Sequence, residues 1–169
     1  MTRTFADQIM DRLHQAEGLY HRLVVIAVPA GGGKTEALRS VAERTGAPLV
    51  NVNLELSTRM LDLTERQRAL AVSRLLAEIV EETGAAVVLL DNTEVLFDPS
   101  LKLDAVRVLQ SLSRNRTVVA AWNGTLQGGQ LVYASPGHPE HVKAPARDFL
   151  CVSGGTGAGC STAAGGETT

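Results

Sequence analysis

An unbroken apolar run, Leu23-Val24-Val25-Ile26-Ala27-Val28, leads straight into Pro29-Ala30-Gly31-Gly32-Gly33-Lys34-Thr35. The run is rich in β-branched residues, free of charge and bounded by proline. That pattern fits a strand buried on both faces of a parallel sheet. The glycines then call for a tight turn, and residues 34–45 read as a helix stopped by Gly46. A strand, a glycine-rich turn and a helix, in that order, form the setting of a phosphate-binding loop. Phosphate oxygens carry dense negative charge. Backbone N–H groups reach them only where side chains are absent, which Gly31, Gly32 and Gly33 provide. The start of the helix adds unpaired N–H groups and a positive dipole end. Lys34 is the expected contact to the β- and γ-phosphates, and the Thr35 hydroxyl the expected magnesium ligand. Pro29, Ala30 and Glu36 complete the expected ATP-binding segment. One departure is visible. The pattern G-x-x-x-x-G-K-[ST] asks for glycine where this chain has Val28, so the turn rests on the three consecutive glycines.

The remaining chain fits a fold built around that unit. Its 169 residues suffice for one domain with a sizeable core. With 44% apolar and 20% charged residues it is a globular composition, and with 4% aromatics the core must be aliphatic. Phe5, Ile9, Leu13, Ala16 and Tyr20 give residues 5–20 a helical stripe. Pro48–Leu54 reads as a second strand. Thr64 and Gln67 have capping-box spacing, and Val72, Leu75, Leu76, Ile79 and Val80 line one face of the helix that follows. Ala85–Leu90 is a third strand, and Asp98-Pro99 is expected to open a helix burying Ala105, Val106, Leu109 and Leu112. Thr117–Trp122 and Gln130–Ala134 are the fourth and fifth strands. The alternation predicts an α/β P-loop NTPase fold with a mostly parallel five-stranded sheet, order 5-1-4-3-2, and flanking helices. The link Asn123–Gln130 is shorter than the dozen or so residues a crossover needs. The last strand is therefore expected to be an antiparallel edge or a hairpin. Residues 1–142 are the expected domain, and the glycine-, alanine-, serine- and threonine-rich stretch 143–169 an expected disordered tail.

Several function classes fall away. A net charge of −2 argues against nucleic-acid binding through bulk charge, leaving only a local patch. No apolar run approaches the roughly 18 residues of a spanning helix, so no membrane partner is expected. Asp7 and Asp11 interrupt the N-terminal apolar pattern, unlike a signal peptide. Cys151 and Cys160, the only cysteines, suit a reduced, cytoplasmic protein. His138 and His141 have metal-compatible spacing but no third ligand in view.

The second half of a nucleotide site needs a carboxylate on a neighbouring strand. Asp91 follows Ala85-Ala86-Val87-Val88-Leu89-Leu90, the Walker B form, and is the expected partner of Thr35 at Mg²⁺. Hydrolysis also needs a group that orients or deprotonates water. Many P-loop ATPases place glutamate directly after the Walker B aspartate, where this chain has Asn92. Glu94 and Glu55 are the two candidates for that role, and each also fits a solvated loop acid. Asn123, at the end of the fourth strand, is a candidate for touching the γ-phosphate or the lytic water; Asn123-Gly124 also fits a simple turn. Arg114 and Arg116 offer a phosphate-matching fork, as a catalytic finger in cis or from a neighbouring subunit. They equally suit a surface patch for a partner or for DNA, or a solvated loop. Trp122 reads as core.

Beyond the phosphate loop, several strings are not generic to ATPases. They are Ala16-Glu17-Gly18-Leu19-Tyr20, Asn51-Val52-Asn53-Leu54-Glu55-Leu56-Ser57 and Leu89-Leu90-Asp91-Asn92. Ser111-Leu112-Ser113-Arg114-Asn115-Arg116-Thr117-Val118-Val119-Ala120-Ala121-Trp122 and Tyr133-Ala134-Ser135-Pro136-Gly137-His138-Pro139-Glu140 join them. Together, over about Phe5 to His141, the chain resembles the BrxF-like small P-loop proteins of type 3 BREX bacteriophage-defence systems. The resemblance implies a bacterial cytoplasmic protein acting with other BREX components, among them a DNA methyltransferase and a large ATPase. Val28 and the stretch from about Lys143 depart from that family. Two readings follow. One is a Mg²⁺-dependent ATPase that forms a homo-oligomer, because the site lacks a firm cis arginine. The other is a nucleotide-gated module that assembles on a partner or DNA, which Asn92 in the glutamate position favours. A small-molecule kinase fits less well, because no arginine-rich lid segment is present.

Overall fold

The computed structural model describes residues 4–28, 33–127, 130–133, 142–145, 149–153 and 160–163. In chain order the elements are α1 (Phe5–Ala16), β1 (Leu23–Val28), α2 (Lys34–Thr45), β2 (Leu49–Asn51), α3 (Val52–Arg59) and α4 (Glu65–Glu82). There follow β3 (Val87–Asp91), two 3-10 turns (Thr93–Phe97, Pro99–Leu101), α5 (Ala105–Leu112) and β4 (Thr117–Gln127). The last four are β5 (Gln130–Tyr133), β6 (Val142–Pro145), β7 (Phe149–Ser153) and β8 (Cys160–Ala163).

The sheet order is β2-β3-β4-β1-β7-β8. The pairs β2–β3, β3–β4, β4–β1 and β1–β7 are all parallel, so five strands run one way, with β8 antiparallel at the edge. The expected 1-4-3-2 part of the order is present, with β4 between β1 and β3. β1 is the centre of the construction. All six of its residues are buried, and they alternate between two layers. Val24, Ile26 and Val28 face α1 and α2 through Ile9, Leu38 and Val41. Leu23, Val25 and Ala27 face the opposite layer, which contains Leu56, Leu76 and Leu109. A strand covered on both faces by helices has no use for polar side chains, which is why its sequence is continuous rather than alternating.

The fifth strand departs from expectation in place, not direction. β5 is antiparallel, as its short link requires, but it pairs with the far half of β4 and with β6. The position beside β1 belongs to β7, in register Val24↔Leu150 to Ala27↔Ser153. The stretch expected as a tail thus supplies Phe149, Leu150, Cys151 and Val152 to the core, each at most 4% exposed. The glycine-rich composition around it masked this apolar run.

Other boundaries shift for local reasons. The Pro48–Leu54 segment is a strand only to Asn51, whose side chain accepts from the Leu54 N–H at 3.0 Å and caps α3. Asp98 does not open α5. Its carboxylate accepts from the Ser100 N–H, and the cap of α5 is Asp104. Tyr20 lies beyond the end of α1 and is 69% exposed. Trp122 is core, edge-on to Phe97, with its indole N–H donating to the Val132 carbonyl at 3.1 Å. Asn123-Gly124 lies within β4 rather than in a turn. A side chain at Gly124 would strike the Val132 carbonyl, so the close approach of β5 requires glycine there. Among the described residues no helix is long and apolar enough to cross a membrane.

Two predictions test this frame. Phe149→Ala removes a buried ring from the β7 face, and we expect a loss of about 3–5 kcal/mol in chemical denaturation. A change within error would mean that β7 does not pack on the sheet. The second concerns Asp7, which closes the α1 capping box with Thr4 and receives Arg44 from α2 at 2.8 Å. The Thr4 backbone N–H, then Arg44, pull its pKa from 3.8 down to about 2. A depressed acid stabilises the fold above its unfolded pKa and loses that effect as pH falls through the folded one. Asp7→Asn should therefore melt lower than the parent at neutral pH, with the difference closing between pH 3.8 and about 2. A pH-independent difference would contradict this.

Candidate functional site

Where β1 ends, α2 begins almost at once. Gly33 caps α2 in the left-handed region (φ 87°, ψ 15°), a conformation that favours glycine. Lys34 is the first residue of the helix. It is only 7% exposed, and its Nζ donates to the Val28 carbonyl at 2.9 Å. Burial pushes the pKa of this ammonium down, while the charges of Glu94 and Asp91 act the other way. A poorly hydrated cation at a helix start is a ready partner for an anion.

The Thr35 hydroxyl donates to Asp91 Oδ2 at 2.7 Å. Asp91 is 6% exposed, and its other oxygen accepts the Asn92 N–H at 2.9 Å. Thr35 comes from α2 and Asp91 from the end of β3, two strands away across β4. The fold has therefore brought together two oxygens that the sequence separates by 56 positions. Both are hard donors, and among the described residues no cluster of three His, Cys, Asp or Glu side chains competes with them. One hydroxyl and one carboxylate suit Mg²⁺, which keeps most of its shell as water and phosphate oxygen.

The loop after Asp91 is held on both sides. Asn92 adopts φ 54°, ψ 55°, a left-handed conformation that asparagine tolerates better than most residues. Its carbonyl accepts the Asn53 N–H from the first turn of α3 at 3.1 Å. The Thr93 hydroxyl donates to the Ala121 carbonyl of β4. These tethers hold the backbone from which the next residue, Glu94, extends; it is half-buried and acts electrostatically on Lys34. Neither Asn53 nor Thr93 was an expected site residue. The one signal for them was their position beside the strand ends.

The remaining candidates separate. Glu55 sits in α3 rather than at a strand end, and Arg59 approaches its carboxylate at 3.8 Å. Asn123 stands in register with Val28, at the strand-end level of the site. Glu36 is exposed in the first turn of α2. Arg114 is a correction. It precedes β4, at the rim opposite the one that bears Lys34, a strand length of about 15–20 Å away. There it lies over the Tyr20 ring at 5.4 Å. Arg116 donates to the Ala85 carbonyl at 3.0 Å on that same rim. A finger role in cis is therefore closed to Arg114. Pro29, Ala30, Gly31, Gly32, His138 and His141 lie outside the described residues.

No protein-family model matches the chain, and no curated protein matches it. Among solved structures, that of C. elegans PCH-2 aligns with 70% of this chain at 16% identity and a TM-score of 0.39. The chain spans 37% of that protein's length. Any functional reading therefore rests on the geometry of the site itself.

The loop geometry gives a direct test. Asn92→Gly relieves the backbone at φ 54° and should keep stability within about 0.5 kcal/mol. Asn92→Val forces a β-branched residue into it and should cost about 1–2 kcal/mol in urea denaturation. Equal stabilities would show that the left-handed backbone is not maintained.

Proposed function

We propose that this chain is a P-loop protein that binds ATP with Mg²⁺ and hydrolyses it, acting with other components of a type 3 BREX-like defence system. The observation that carries the reading is the Thr35–Asp91 pair beside buried Lys34, at the start of a helix that follows a buried strand. In this reading the segment 29–33 wraps the phosphates. Lys34 leaves the Val28 carbonyl and sets its charge against the β- and γ-phosphates. Thr35 and Asp91 would hold the metal, which neutralises phosphate charge when bound. Glu94, carried by the backbone that the Asn92 and Thr93 tethers hold, orients and deprotonates the attacking water. Glu55 is the weaker choice because it sits within α3 rather than in the loop after Asp91. Asn123, in register with Val28, is the residue this reading assigns to the γ-phosphate. The BREX assignment is supported by the sequence strings alone.

A second reading has its own support. Asn92 occupies the glutamate position, and its carbonyl ties the post-Asp91 loop to α3. A module of that design would bind ATP, shift α3 and engage a partner with little turnover.

Phosphate release separates the two. Lys34→Ala should weaken ATP binding at least about tenfold, a loss of about 1.4 kcal/mol or more. Glu94→Gln should lower turnover by about 10²–10⁴-fold with ATP affinity preserved. Wild-type turnover that survives Glu94→Gln would move the role elsewhere. No turnover, with or without DNA, but tight binding would favour the second reading.

A further inference from the structure

Three parallel strands, β1, β4 and β3, start side by side at the rim opposite Lys34. The segments that lead into them, 18–22, 113–117 and 83–86, contain Arg22, Arg114 and Arg116 and no acidic residue. Backbone hydrogen bonds join the three segments. The Arg22 N–H donates to the Ser113 carbonyl at 3.0 Å, and the Thr117 N–H to the Ala86 carbonyl at 2.9 Å. Elsewhere Arg44, Arg59 and Arg74 each meet a carboxylate. On this rim the guanidinium groups meet other partners. Arg22 donates to the Arg114 carbonyl at 3.4 Å, Arg116 to the Ala85 carbonyl at 3.0 Å, and Arg114 lies over the Tyr20 ring at 5.4 Å. None of these contacts neutralises charge, and a carbonyl takes only one of the five N–H donors of a guanidinium. Tyr20 remains 69% exposed beside this cluster.

Guanidinium groups gathered without carboxylates match phosphate oxygens, which their planar forks contact in pairs. The exposed aromatic ring adds a second requirement. A base can lie against it only where it is not already stacked inside a duplex. We propose that this rim binds a single strand of nucleic acid, with phosphodiesters on Arg22, Arg114 and Arg116 and a base against Tyr20. The contact with Tyr20 restrains Arg114, so less side-chain freedom is lost when a phosphate arrives. Three charge contacts give weak, salt-sensitive binding, with a dissociation constant of about 1–100 µM at physiological salt. The inference does not rest on the nucleotide reading. The strand and ATP would occupy opposite rims, and each can be titrated without the other.

Fluorescence anisotropy of the full chain with labelled oligothymidylate and oligouridylate, each of about 16 nucleotides, tests it. Binding of either strand supports the proposal, and the ratio of the two affinities shows whether DNA or RNA is preferred. Log affinity against log salt should fall with a slope of about −2, near 0.7 for each of three phosphates. Arg114→Glu, at an exposed position, should keep the fold by circular dichroism and bind at least about tenfold more weakly. Tyr20→Ala should bind at least about fivefold more weakly with the salt slope unchanged, and Tyr20→Phe should match the parent. A duplex of the same length and polyglutamate should both bind more weakly than the single strand. No binding of either strand at low salt, or parent-like binding by Arg114→Glu or Tyr20→Ala, would overturn the proposal. So would a duplex that binds as tightly as the strand, or polyglutamate that does, the latter marking an acidic protein as the partner.

Discussion

The burial of β1 on both faces is the constraint from which the rest follows. A strand with no exposed residue can present chemistry only where it leaves the sheet. At that point the chain must satisfy the Val28 carbonyl, and the Lys34 ammonium does so while losing most of its water. The cost of holding that charge is offset in part by Glu94 and Asp91, from the end of β3 and the loop that follows it. The loop after β3 and the start of α2 are thereby bound to one another. What looks like a ligand site is also a joint of the fold.

That joint depends on topology. β4 lies between β1 and β3, and Thr35 still reaches Asp91 at 2.7 Å because α2 starts over the ends of the strands. The loop after Asp91 is fixed twice more, by Asn53 from α3 and by Thr93 on β4. A change at the phosphate end thus has a short mechanical route into α3, through one hydrogen bond to the Asn92 carbonyl. The opposite rim is organised around other contacts, Arg114 over Tyr20 and Arg116 on Ala85, and is separated from the site by the length of the sheet.

The sequence carried much of this where the signal was local and strong. The solid apolar runs of β1 and β3, the Thr64–Gln67 box and the stripe of α4 are all present in the structure. The misses share a cause: a local pattern that fits two structures. Val50-Asn51-Val52-Asn53-Leu54 alternates like a strand, yet Asn51 caps a helix. Asp98-Pro99 looks like a helix start, yet Asp98 folds back on Ser100 while Asp104 does the capping. Phe149–Val152 is too short and too closely framed by small residues to read as a central strand, and only its partner β1 makes it one. Position along a strand separates Arg114 from Lys34 within one chain, since residues that precede a strand and residues that follow one lie at opposite rims.

The central claim is that the β1–α2 turn holds the phosphates of a nucleotide together with a metal at Thr35 and Asp91. Isothermal titration of ATP into the full chain, with and without magnesium, tests it most directly. The account predicts saturable binding of one ATP per chain that tightens when magnesium is added and loses that magnesium dependence in Asp91→Ala. An absence of binding in both conditions, or binding indifferent to magnesium in the parent chain, would contradict it.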